Sequence, residues 1–194
     1  SSDLREDGQS GTRVTVGWIG THSTYPFLKS IFPVLQQLAA KHDFRLVVVG
    51  SGVDDIRLPG VEVETAAWTL DSEAALFRSF DIGLYPITTS ASADEEWIRG
   101  KSGFKAVQYM ASGVPFVMSP VGICSEMGEP GRTHLNAAGE SDWYTSLDGL
   151  LRDAAMRERM GRAGREFAVL NYDPREQADR LEAVLRSAVA EQGV

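Results

Sequence analysis

Residues 44–52, FRLVVVGSG, form a continuous apolar run closed by glycines. A strand that is apolar at every position is buried on both faces, as in the interior of a parallel sheet covered by helices. The same kind of unit returns along the chain. RVTVGWIG (13–20) alternates apolar residues and ends in glycine, and VEVETAAW (61–68) alternates as well. DIGLYPI (81–87) and VPFVMSP (114–120) are short apolar runs, and THLNAAG (133–139) is a sixth candidate strand. Between them the period changes to that of a helix. Leu28, Ile31, Phe32, Leu35, Leu38 and Ala39 share one helical face, behind a cap at Ser23 or Thr24 and a first-turn Pro26. Residues 72–80 and 102–112 read as further helices. From about residue 140 the pattern is helical to the end, with breaks expected near 161–164 and 171–174. Leu181, Val184, Leu185 and Ala188 fall on one face of the last helix. Residues 86–100 keep neither period and read as a long loop.

Strand and helix alternating through glycine-rich turns predict an α/β fold: a doubly wound, Rossmann-like parallel sheet of six strands with helices on both faces. Ligands of such sheets bind beyond the carboxyl ends of the strands, at a switch point. The candidate loops are therefore 20–24, 50–54, 67–72, 86–103 and 120–126. A polar, Gly/Ser-rich linker over 1–12 would precede one domain over 13–194, and 194 residues suit one full-sized domain. The lone Cys124 excludes a disulfide framework and a cysteine-based zinc site. The net charge of −8, without a basic stripe, argues against nucleic acid or an anionic membrane as partner. No apolar run approaches a membrane span, and no signal-peptide pattern is present. A cytoplasmic location is expected. The first residue is Ser1 rather than Met, and the chain is expected to be an excised part of something longer.

The chemistry concentrates in GKSGFKAVQYMASGVP (100–115). At helical spacing Lys101, Lys105, Gln108 and Ser112 share one face, and Phe104, Val107 and Ala111 occupy the other. Like charges at i,i+4 repel by a few tenths of a kcal/mol, and lysines in a first turn oppose the helix dipole. The chain has four lysines, and two of them fall within this five-residue window. A bound anion would reverse both penalties. Gly100, Ser102 and Gly103 precede a helix N-terminus, where backbone N–H groups cradle phosphate. The competing reading is a solvated face with two stray lysines.

Other candidates are weaker. Gly17, Gly20, Thr21 and His22 follow the first strand, but the glycines do not have dinucleotide-fingerprint spacing and no P-loop is present. Trp68 can stack a nucleobase while Thr69, Asp71 or Glu73 meets ribose or base edges; alternatively Trp68 is core and Asp71 a cap. Asp94, Glu95 and Glu96 beside Trp97 can approach a divalent ion or be solvated. His42 and His134 have no evident partner, and Cys124 has no flanking base to make it a nucleophile.

The ordered set VGWIG (16–20), LVVVGSG (46–52), Trp68 with Glu73, FDIGLYPI (80–87), GKSGFKAVQYMASGVPFVMSPVG (100–122), Glu126 and RERMGRAGREF (157–167) resembles a known family. It is similar to the C-terminal, nucleotide-sugar-binding domain of GT-B glycosyltransferases of the family-4, or group 1, type, over about residues 13–190. Gly100 and Gln108 stand where that family carries two glutamates, for the donor sugar and the ribose. Thr21 and Phe27 stand near its usual arginine and lysine. The resemblance implies transfer of a sugar from a nucleotide diphosphate sugar without a metal or other cofactor, with retention of configuration. It also implies an N-terminal acceptor domain as partner, in the same enzyme or as a separate subunit, onto which the last helix packs. Lys101 and Lys105 would stabilise the leaving diphosphate, because a metal-free site needs cations and helix N-termini for that charge. Gln108 would hydrogen-bond the ribose. Two alternatives remain at this point: a non-catalytic partner module that kept the fold, and an unrelated doubly wound domain.

Overall fold

The computed structural model describes residues 13–88 and 95–191. Six strands form one all-parallel sheet in the order β3-β2-β1-β4-β5-β6. They are β1 (Val14–Ile19), β2 (Phe44–Val49), β3 (Glu62–Ala66), β4 (Ile82–Tyr85), β5 (Phe116–Met118) and β6 (Leu135–Asn136). All six lie within the segments expected from the sequence. The helices are α1 (Tyr25–Lys29), α2 (Phe32–Ala39), α3 (Leu70–Ser79), α4 (Glu95–Arg99), α5 (Phe104–Ala111), α6 (Glu140–Arg152), α7 (Ala154–Asn171) and α8 (Pro174–Glu191).

The double winding follows from the pleat, because alternate residues of a buried strand point to opposite faces. Val16, Trp18, Leu46 and Val48 enter a core with Leu28, Leu35, Trp143 and Leu147. Ile19, Val47 and Val49 enter the opposite core with Phe77, Phe80, Tyr109 and Phe116. The strand order reverses direction between β1 and β4, which creates a crevice at their carboxyl ends.

The structure corrects several sequence expectations. The helix expected after β1 is split at Ser30 and Ile31, because Pro33 in the first turn of α2 has no N–H to continue α1. The loop expected over 86–100 contains the short helix α4. α7 runs unbroken through Gly161 and Gly164. Those glycines serve packing: a Cβ on Gly161 would collide with the Gly113 carbonyl oxygen, and one on Gly164 would stand 3.4 Å from Met110 Cγ. The break expected at 171–174 is present. The linker expected over 1–12, Asp94, and the side chains of Glu95 and Trp97 lie outside the described residues. Among the described residues, no helix is long and apolar enough to cross a membrane.

Candidate functional site

The seam between β1 and β4 is built by glycines and one tyrosine. A Cβ on Gly83 would overlap the Tyr109 ring, so its absence lets α5 sit directly on β4. The Tyr109 hydroxyl, fully buried, is shared between the carbonyls of Gly17 (3.2 Å) and Leu84 (3.1 Å). Gly17 is not a ligand-approach glycine: the Phe80 ring fills the space where its Cβ would be. These contacts fix the amino end of α5 at the mouth of the crevice.

A cleft of about 280 Å³ opens there. Trp18 and Thr24 line it from β1 and its loop, Phe27 from α1, and Tyr85, Pro86 and Ile87 from the end of β4. The fourth wall is Lys101, Ser102, Phe104 and Lys105. The two lysines do not share a helical turn, contrary to the sequence expectation. α5 begins only at Phe104, and Lys101 lies in the preceding turn, where its N–H donates to the Ile98 carbonyl at 3.3 Å. Gly103 turns the chain into α5 with φ +66°; a side chain there would strike Met127 Sδ. The loop thus brings the two ammonium groups toward one space.

That space is costly for positive charge. Burial first, then the charge of Lys105, lowers the pKa of Lys101. Its Nζ stands 5.2 Å from the centroid of the Phe27 ring. Lys105 is lowered by burial, and Glu73 partly restores it. Among the described residues, Lys105 has no carboxylate within ion-pairing distance. The first turn of α5 holds no acidic residue, so the positive end of its dipole points at the same place. Behind Lys101, the Tyr85 hydroxyl and the Cys124 thiol are hydrogen-bonded, and burial raises the pKa of both. A buried thiol held in its neutral form is a poor nucleophile.

The remaining sequence-named residues are distributed around this cleft. Gly20 backs its wall: a Cβ there would overlap the Trp18 ring. Thr21 is turned inward to its own loop: its N–H donates to Thr24 Oγ1 at 2.9 Å and its hydroxyl meets Ser23 Oγ. His22 is exposed, beside Gly52. Trp68 is not core but 46% exposed, and its indole N–H donates to Glu73 Oε1 at 2.9 Å. Thr69 caps α3, accepting from the Ser72 N–H, while Asp71 is exposed on the first turn. Gly100 lies at the end of α4, its N–H bonded to the Glu96 carbonyl. Phe104 is 61% exposed rather than part of an apolar inner face, which consists of Ala106, Tyr109 and Met110. Gln108 is half-buried one turn beyond Lys105.

The two histidines read as partnerless both have partners. His42 Nε2 meets Asp148 Oδ1 at 2.7 Å. His134, fully buried and stacked on Phe116, meets Thr133 Oγ1 at 2.9 Å and Asn136 Oδ1 at 3.1 Å. Among the described residues, no group of three or more His, Cys, Asp or Glu gathers as a metal site would.

The family model for glycosyl transferases group 1 matches residues 13–153, most of the chain. The chain belongs to this family. No curated protein matches it in sequence. Solved structures match its fold. Sucrose-phosphate synthase from Thermosynechococcus elongatus superposes with a TM-score of 0.70 at 16% identity, over 92% of this chain and 46% of that one. Anabaena HepE, crystallised with UDP-glucose, also gives 0.70 at 16% identity, over 91% and 49%. The catalytic domain of cholesterol-α-glucosyltransferase from Helicobacter pylori gives 0.62 at 16% identity, over 84% and 100%. The chain spans about half the length of the first two.

Set in this group 1 fold, the cleft includes residues that the sequence reading did not assign to it. Trp18 and Tyr85 are aromatic residues near strand ends, and nothing in their local pattern separates them from core. Their position at the carboxyl ends of β1 and β4 is the signal that could have found them. Glu73, rather than Asp71, is the acid that faces Trp68, because position 73 is one helical turn beyond the Thr69 cap and turns back toward the sheet.

Proposed function

We propose that this chain is the donor-binding half of a glycosyltransferase that moves a sugar from a nucleotide diphosphate sugar to an acceptor. The observation that carries the reading is the pair of lysines at one cleft, both with lowered pKa, at the switch point of the sheet and the amino end of α5. Desolvated cations facing a crevice raise the energy of the empty site and are stabilised by an anion entering it. A nucleoside diphosphate leaving group is such an anion. Structures of the same fold were crystallised with UDP or UDP-glucose, which supports that ligand class.

In this reading Lys101 and Lys105 neutralise the diphosphate as the bond to the sugar breaks. Ser102, Gly103 and Phe104 meet the donor at the start of α5, and Gly20, lacking a Cβ, makes room for the Trp18 ring in the opposite wall. Trp68 carries the base, and Gln108 lies on the ribose side. His22 shares the diphosphate with the lysines, and Thr21, Thr69, Asp71 and Gly100 are further donor contacts. The transfer needs no metal or other cofactor and retains the anomeric configuration. An N-terminal acceptor domain completes the active cleft, and the cytoplasm is the setting. The exposed apolar face of α8, with Leu181, Val184 and Leu185, is where that domain packs.

A thermal-shift screen with uridine, guanosine and adenosine diphosphates tests this. At ligand 100 times above its dissociation constant the fold gains about 2.7 kcal/mol. No response to any of the three overturns the reading. One observation favours a second reading, a non-catalytic partner module: Gly100 and Gln108 supply no carboxylate where the family carries its two glutamates. Turnover after reconstitution with an N-terminal half decides against that module.

A further inference from the structure

A nucleoside diphosphate has a fixed covalent order: phosphates, ribose, base. A site for it must present its recognition groups in the same order. Here the cations are at Lys105 and Lys101, and the open aromatic surface is at Trp68. Glu73 stands between these two places. Its Oε1 accepts the Trp68 indole N–H at 2.9 Å, and Phe77, one turn after it on α3, packs edge-on against Tyr109, one turn after Lys105 on α5, at 5.0 Å between ring centroids. Glu73 is half-buried in the first turns of α3, with Thr69 fixing the start of that helix. One carboxylate oxygen is occupied by the indole. The other retains acceptor capacity only, since an ionised carboxylate has no proton to donate. The part of a nucleoside diphosphate that lies between phosphate and base, and that offers O–H donors, is the ribose 2′,3′-diol.

We propose that Glu73 is the ribose-recognising residue of this site, holding Trp68 with one carboxylate oxygen and accepting from the ribose diol with the other. The inference rests on the donor-binding reading above and goes beyond it, because it assigns ribose selectivity to α3 rather than to Gln108 on α5. A carboxylate suits this role, because hydrogen bonds to a charged acceptor are stronger than those to an amide. Its negative charge also repels free phosphate, so it favours the whole nucleoside diphosphate over inorganic anions.

The test titrates the purified chain with uridine, guanosine and adenosine diphosphates, their 2′,3′-dideoxy counterparts, and inorganic pyrophosphate, by calorimetry. The wild type is expected to bind a ribonucleotide about tenfold more tightly than its dideoxy form. Glu73→Gln keeps an amide oxygen for Trp68 but turns an N–H₂ group toward the ligand. In that variant the tenfold preference falls toward one, and pyrophosphate binds at least as well as to the wild type. Equal binding of ribo- and dideoxy forms by the wild type overturns the proposal without any variant. So does a preference that survives Glu73→Gln, or one that disappears instead in Gln108→Ala. A Glu73→Gln variant that loses pyrophosphate along with every nucleotide also overturns it, making Glu73 a support for Lys105. Failure of the wild type to bind pyrophosphate or any nucleotide overturns the donor-binding reading itself, and this proposal with it.

Discussion

The two ends of the sheet treat charge in opposite ways. Both have a surface concavity. At the amino ends of the strands it measures about 420 Å³ and is lined by Arg13, Lys41, His42, Asp43 and Glu62. There each cation has a partner in the protein. Arg13 pairs with Asp43 at 2.7 Å and with Glu62, Lys41 Nζ meets the Tyr144 hydroxyl at 2.5 Å, and His42 meets Asp148, which Arg152 also reaches at 3.0 Å. The pKa values of Arg13 and Lys41 are raised, as happens when a cation is stabilised. At the carboxyl ends, burial lowers both Lys101 and Lys105, and the charge of Lys105 lowers Lys101 further. Size therefore does not separate the two ends. What separates them is the direction in which their surroundings move the lysines: Lys41 up, Lys101 and Lys105 down.

The largest expected effect breaks this comparison in one step. Lys105→Ala should abolish most of the nucleoside-diphosphate stabilisation, about 2.7 kcal/mol at a hundredfold excess over the dissociation constant, while Arg13→Ala leaves it intact. Thermal shift on both variants checks this. Equal losses would mean that the response is a general charge effect.

Next in size is Tyr109→Phe. Its hydroxyl spans the β1–β4 seam, bonded to Gly17 and Leu84, and removing it should cost about 1.5 kcal/mol in urea unfolding. Weaker ligand binding should accompany that loss, because the seam seats α5. Asp148→Ala, at the opposite end, should cost about 1 kcal/mol and leave ligand binding unchanged. His42 holds the Asp148 carboxyl below the usual carboxylate range. Its contribution is present above the ordinary carboxylate pKa and is lost as pH falls through the lowered value, so in Asp148→Ala that part of the acid-induced loss should be missing.

The smallest effect has the opposite sign. Lys105 has a folded pKa below its unfolded value of about 10.5. Between the two, the unfolded chain binds more protons, so stability rises with pH across that window. Below the lowered value the full cost of burying the charge is present. Lys105→Met should therefore raise the ligand-free melting temperature by about 2 °C near neutral pH, with the difference from wild type shrinking as pH approaches 10.5. A variant that melts lower than wild type would show that Lys105 is a structural cation like Arg13.

Much of this was legible in the residues. FRLVVVGSG required a covered parallel strand, and the five similar runs each became a strand in the same sheet. The lysine-bearing segment 100–105 stood out because two like charges so close together have no local advantage. Where the reading failed, the reason was a contact distant in sequence. Gly161 and Gly164 look like a helix break, yet they are small because Gly113 and Met110 press against them. Phe104 fits an apolar stripe by spacing, but the helix starts at that residue and leaves it at the rim. His42 lacks a neighbour in sequence and finds one 106 residues away.

Periodicity reports only which side of an element is apolar, so the sequence alone determined the class of fold, the number of strands and the segment in which two of the four lysines fall. Tertiary structure decided the rest. It placed the reversal of strand order between β1 and β4, turned Lys101 and Lys105 toward a wall of Trp18, Phe27 and Tyr85, and chose Glu73 over Asp71 as the acid beside Trp68. A cleft belongs to no single segment: its shape and its desolvation arise only when chain ends far apart in sequence are packed side by side.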